Sequence, residues 1–150
     1  MKKLLVITCV SFFSIGYSIS SFAGFNDYFH RTNPCSDASL KGTYTYTEVG
    51  KDVNGNAFAE SGIETYDGKG VMENKSFNTG GGSSLSTGSY SINADCTGTA
   101  VFSDESSFNI YVSPYGDSFT FVQTSPSTPN KPLASGEEKR VSKSLINFLP

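Results

Sequence analysis

The chain has 150 residues and a formal net charge of −3. That length supports one hydrophobic core and hardly two. An acidic balance without a cluster of lysine or arginine is unsuited to nucleic acid or to an anionic membrane surface.

The first predicted element is a leader. Lys2 and Lys3 precede a mostly apolar run from Leu4 to Ile15, and Ser21-Phe22-Ala23 places small residues where a signal peptidase reads them. The run is shorter than the ~20 residues of a membrane-spanning helix, so a cleaved signal peptide is expected over 1–23, with export to the periplasm or beyond. No cysteine follows the expected cut, so no lipid is expected there. Loss of Lys2 and Lys3 leaves 9 basic side chains against 14 acidic ones, a net charge of about −5.

Cleavage also removes Cys9 and leaves Cys35 and Cys96. In an oxidising compartment two such cysteines are most simply a disulfide, and two buried reduced thiols are the alternative. His30 is the single histidine and lies in the N-terminal segment, so no metal site and no bound cofactor are expected.

In "CSDASLKG" Ser36 or Asp37 can cap one helical turn that Gly42 ends. Residues 24–42 are therefore read as an N-terminal segment with a short helical turn, and 43–150 as a β-barrel domain. Strict alternation begins with Thr43-Tyr44-Thr45-Tyr46-Thr47. Further strands are expected near 57–66, 70–78, 86–93, 97–103, 106–112, 118–124 and 133–142. The turns at 67–70, 95–98 and 114–117 are short enough to force antiparallel hairpins. Two looser stretches, "NTGGGSSLSTG" (78–88) and "SPSTPNKP" (125–132), are candidate mobile rims. Short strands in hairpin order favour closure, because a closed sheet has no exposed edges. The expected fold is all-β: an eight-stranded antiparallel up-and-down barrel, lipocalin-like, with a two-sheet sandwich as the alternative. A Cys35–Cys96 bond would tie the N-terminal turn across one end of the barrel.

Bulky side chains keep one parity within each strand: Tyr44 with Tyr46, Phe58 with Tyr66, Tyr90 with Ile92, Phe108 with Ile110, Phe119 with Phe121. The other parity is rich in threonine, serine and asparagine. Bulky inward and hydroxyl outward is the arrangement of a water-facing barrel. A membrane barrel inverts it and would set Glu48, Glu60, Glu64 and Glu73 against lipid. The residues expected to line a ligand cup are Tyr44, Tyr46, Phe58, Glu60, Glu64, Tyr66 and Glu73, with Tyr90, Phe102, Phe108, Phe119 and Phe121 from the later strands.

A two- or four-residue hairpin at 67–70 would pair Tyr66 with Val71 and set Glu64 opposite Glu73. Opposed carboxylates are unfavourable on an ordinary sheet. Inside a barrel they raise at least one pKa and can hold a shared proton. Glu64, Glu73 and Tyr66 are therefore the catalytic candidates, should there be an activity. A bulge turning the pair outward, or a solvated place at the barrel mouth, is the structural alternative. Other templates fail. A triad has only His30 to work with, "GKDVNGNAFAE" lacks the glutamate and helices of a calcium loop, and "NTGGGSS" lacks the lysine and helix of a phosphate loop.

The "CSDASLKGTYTY" stretch, the "YDGKG" hairpin and the "TGSYSINADCTGT" block resemble a family of small exported bacterial proteins. The resemblance implies a lipocalin-like or allene-oxide-cyclase-like barrel and supports the disulfide; it carries over no catalytic residue. The functional expectation is an exported barrel that binds a small apolar or amphipathic molecule. An isomerase- or cyclase-type enzyme, a protein-interaction module and a filled barrel without a ligand are the alternatives.

Overall fold

The computed structural model describes residues 34–51, 54–125 and 133–148. The expected signal peptide, Cys9 and His30 lie outside them, as does most of the proline-rich stretch. Among the described residues one 3-10 turn, Asp37–Ser39, is followed by eight strands: β1 Lys41–Lys51, β2 Ala57–Asp67, β3 Val71–Asn78, β4 Ser83–Ile92, β5 Thr97–Phe102, β6 Ser107–Val112, β7 Ser118–Ser125 and β8 Leu133–Ser142. Each pairs antiparallel with the next, and β8 pairs back onto β1, so the sheet is a closed barrel in up-and-down order. Closure gives every strand two neighbours and leaves no edge to aggregate.

The alternation in sequence becomes the wall of this barrel. Tyr44, Tyr46, Tyr66, Tyr90, Ile110 and Phe119 are buried inside, while Thr45, Thr47, Lys75, Ser91 and Thr120 face out. Rings crowd edge to face, the geometry aromatic quadrupoles prefer. Tyr66 sits 5.2 Å from both Tyr44 and Tyr90 between ring centroids, and 5.6 Å from Phe119. Inward glycines make room for the rings. A Cβ on Gly62 would stand 2.6 Å from the Tyr46 ring, and one on Gly136 would stand 2.7 Å from the tip of Phe121.

Two connections depart from expectation. The glycine- and serine-rich stretch is shorter as a loop, because Ser83–Gly88 continues the ladder with β3. What remains folds over Asn78, whose side-chain oxygen accepts from the backbone of Gly80 and Gly82. The second departure changes the site. Three residues, Gly68, Lys69 and Gly70, separate β2 from β3, with Asp67 accepting from the N–H groups of Lys69 and Val71 and both glycines at positive φ. An odd loop shifts the ladder by one, so Tyr66 pairs with Met72, and Glu64 faces Asn74 rather than Glu73. Since side-chain direction has period two, Glu73 moves to the outer wall, between Thr65 and Thr87.

One end of the barrel is shut by the N-terminal turn. Cys35 and Cys96 are disulfide-bonded, with Cα atoms 5.0 Å apart across 61 residues of sequence. Cys96 occupies the left-handed position of its hairpin (φ 70°), a place glycine usually takes. Its neighbours hold it there: Cys96 N–H donates to Asn93, and its carbonyl accepts from Val112. The turn is stitched down by Asp37, which accepts from Ile92 N–H at 2.7 Å, and by Tyr90, whose hydroxyl donates to the Leu40 carbonyl at 2.8 Å. Leu40 itself is fully buried beneath the turn, worth about 1.5–3 kcal/mol of burial.

Candidate functional site

Towards the other end, the interior holds a cavity of about 190 Å³. Its floor is the Tyr66 and Phe119 layer, and its walls rise past Phe102, Phe108 and Phe121 to Phe58, Ser84 and Ser106 at the rim. Strand order explains the height of each wall. Inward positions alternate along β1 as Tyr44, Tyr46, Glu48 and along β2 as Tyr66, Glu64, Gly62, Glu60, so both strands become more acidic as they climb.

Two carboxyl groupings result. Nearer the rim, Glu48 lies directly opposite Glu60 on the β1–β2 ladder. Burial, reinforced by the charges of Glu60 and Glu64, pushes the Glu48 carboxyl up to about 7. Deeper, Glu64 from β2 and Glu138 from β8 meet across β1, at 4 % and 3 % exposure. Glu64 is well supplied with donors. Asn74 gives its amide to one oxygen at 2.6 Å and Tyr66 gives its hydroxyl to the other. Asn74 also donates to the Tyr46 hydroxyl at 2.9 Å, which donates onward to Glu60 at 2.5 Å. Glu138 is poorly supplied: Tyr66 lies 3.3 Å from one oxygen, and the other, Oε2, is buried with no donor.

Burial raises the pKa of both Glu64 and Glu138. For Glu138 the negative charge of Glu64 adds to the burial, and a hydrogen bond between the two side chains favours its protonated form. That hydrogen bond and the lack of a donor at Oε2 fit together once a proton is counted. Two carboxylates offer acceptors alone, whereas one proton between them makes a donor. The donors gathered on Glu64 favour its charged form, so the pair retains a single shared proton, residing chiefly on Glu138. Tyr66, between the two, is pushed up by burial and then by both charges, and its hydroxyl stays protonated.

No protein-family model and no curated protein matches the sequence. Among solved structures the chain is similar to a de novo designed fluorescence-activating β-barrel, at 18% identity, a TM-score of 0.49, and coverage of 69% of this chain and 97% of that one.

The structure brings most of the expected residues together. Tyr46, Phe58, Glu60, Glu64 and Tyr66 line the cavity, as do Phe102, Phe108, Phe119 and Phe121. Three stand elsewhere. Glu73 is on the outer wall, removed by the three-residue hairpin. Tyr44 and Tyr90 are inside but below the floor, spent on the closed end: Tyr44 donates to the Gly116 carbonyl at 2.5 Å, and Tyr90 to Leu40. The expected opposition of two glutamates occurs with other partners, Glu48 with Glu60 and Glu64 with Glu138. Sequence reasoning passed over Glu138, Asn74 and Gln123 as lining residues. Parity along β8 was the available signal, since Ala134, Gly136 and Glu138 share a face and Glu137 takes the other. Among the described residues no group of three His, Cys, Asp or Glu side chains could hold a metal ion.

Proposed function

We propose that this protein is an exported barrel that binds a small molecule in its open cup. The observation that carries the reading is the cavity itself: concave, aromatic-walled, and furnished with a few convergent polar groups, the usual make-up of a ligand site. Its size argues for a compact ligand. A cavity of about 150 Å³ accommodates benzene, whereas drug-sized or fatty ligands need roughly 300 Å³ or more. Export is supported by the basic-apolar-small leader pattern at 1–23 and by the disulfide. The lipocalin-like kinship suggested by the sequence belongs to the same proposal.

A second reading has its own observation. Glu64, Tyr66 and Glu138 form a buried group poised to hold and release a proton, as an isomerase- or cyclase-type reaction requires. In that reading Glu138 takes the place expected of Glu73.

Native mass spectrometry of the protein purified from its own host tests the binding reading. A co-purified species within the mass of a one- or two-ring compound is expected. Wholly ligand-free protein that also shows no cup-centred NMR shifts against a library of such compounds overturns it. Turnover of a bound compound that is lost in Glu64→Gln, with binding retained, would favour the enzyme instead.

A further inference from the structure

Granting that the cup binds a small molecule, we infer that its ligand is an organic cation about one aromatic ring in size, with a protonated amine seated against Glu138 and Glu64 and its apolar part among Phe102, Phe108 and Phe121.

Three independent features of the cup lead there. The first is Glu138 Oε2, on the cavity wall in a residue 3 % exposed, which among the described groups is answered by nothing but the proton it shares with the like-charged Glu64. Without that proton it is a buried charged acceptor lacking a donor, a costly arrangement that a ligand's donor relieves. An ammonium carries three donors and no acceptor. The second is charge. Glu48, Glu60, Glu64, Asp104 and Glu138 line the cavity, and among the described residues no lysine, arginine or histidine does. Arg140, two positions beyond Glu138, is not available to them. Its guanidinium lies over the Tyr44 ring and donates to the carbonyls of Lys41 and Tyr115 at the closed end. The Lys139–Glu137 ion pair is on the outer wall. An anionic ligand would meet only repulsion here, and a neutral apolar one would add nothing that offsets the negative charge of the cup. The third is the wall. Phe102, Phe108 and Phe121 stand edge to face with centroids 5.7 Å apart in each successive pair, offering ring faces to a cation's apolar part and to its charge.

The same geometry says what the ligand displaces. The ammonium takes the position of the proton shared by Glu64 and Glu138, and that proton leaves to solvent. Binding of the amine is therefore opposed by acid. The titratable groups facing the pair are Tyr46 and Glu48 from β1, Glu60 and Tyr66 from β2, and Asp104 from the β5–β6 turn; Asn74 from β3 and Gln123 from β7 complete the ring without titrating. Tyr44 and Arg140 lie just below.

The test uses the intact protein and a matched series titrated by calorimetry and NMR at pH 8: benzylammonium, benzyl alcohol and benzoate. Benzylammonium is expected to bind about tenfold or more tightly than benzyl alcohol, the scale of a charge-assisted hydrogen bond in a dry site, with benzoate weakest. The advantage of the amine should shrink as the pH falls from 8 to 6. In Glu138→Gln the amine-to-alcohol ratio should drop to near one; Glu64→Gln serves if that variant does not fold. Equal binding of amine and alcohol by the unmodified protein overturns the cation inference and leaves the small-molecule reading standing. Preference for benzoate does the same. Failure of all three to bind likewise overturns the cation inference, while the small-molecule reading is decided separately by the native mass spectrometry and the wider library.

Discussion

The two ends of this barrel use the same residue types to opposite effect. At the closed end both buried tyrosine hydroxyls find carbonyls: Tyr44 reaches Gly116 and Tyr90 reaches Leu40. Asp37 is satisfied by a backbone N–H, and a covalent bond locks the arrangement. At the open end the tyrosines point at carboxylates, the carboxylates point at one another, and one buried oxygen has no donor at all. Polar groups facing fixed backbone partners stabilise. Polar groups facing their own kind must hold protons or await something else. The closed end is thus where the fold's stability is concentrated, and the cup is where stability has been given up.

Breaking the closed end should have the largest effect. Replacing Cys35 and Cys96 together by serine frees a loop of 61 residues, which in the chain-entropy model removes about 4 kcal/mol. Thermal unfolding followed by circular dichroism should show a fall in Tm of ~15 °C or more, and reduction of the unmodified protein should reproduce it. A Tm unchanged by either treatment would mean that hydrogen bonds alone hold the turn in place.

Side-chain truncation sharpens the same contrast. Leu40→Ala removes a fully buried side chain that does not border the cavity and should cost about 3 kcal/mol. Phe108→Ala, although it deletes a larger side chain, should cost only about 1–2 kcal/mol, because that ring is half-buried and already borders a void. Denaturant midpoints of the two variants decide it. A Phe108 variant less stable than the Leu40 variant would indicate a cup as tightly built as the plug.

Most of the closed end was legible in the sequence. Alternating Thr43 to Thr47 gave β1 its faces, the hairpin residues at 95–98 and 114–117 gave antiparallel order, and two cysteines with a short helical turn gave the plug. The cup was legible in kind but not in its pairs. Which glutamates meet depends on whether residues 68–70 form an even or an odd loop, and a one-residue difference there moves Glu73 from inside to outside. Asp67 and the two glycines specify a three-residue turn through their hydrogen bonds and positive φ angles, a balance composition alone does not resolve. Glu138 was hidden for a different reason. It meets Glu64 only because β8 closes onto β1, and a contact made by closure joins strands far apart in the chain.

The smallest expected effect tests the cup most directly. Glu48, Glu64 and Glu138 all have folded-state pKa values raised above the ordinary glutamate value, chiefly by burial. The folded protein therefore holds protons that the unfolded chain would release. The stability these groups contribute is complete below about pH 4.5 and is lost as the pH rises through their folded values, near 7 for Glu48. Asp95 and Asp117 act in the opposite sense, held low by hydrogen bonds from Thr97 and Ser113, but their contribution falls away only below the usual aspartate range. Between pH 8 and pH 5.5 acidification should thus raise Tm by roughly 4 °C, about 1 kcal/mol. Glu138→Gln should flatten that slope and raise Tm at pH 8, because its amide donates to Glu64 as the protonated carboxyl does. Glu137→Gln, one residue away on the outer wall at 59 % side-chain exposure, should leave the slope as it was. If the two variants behave alike, the carboxyls of the cup are solvated in both folded and unfolded chains, and the difference between the two ends lies in packing rather than in charge.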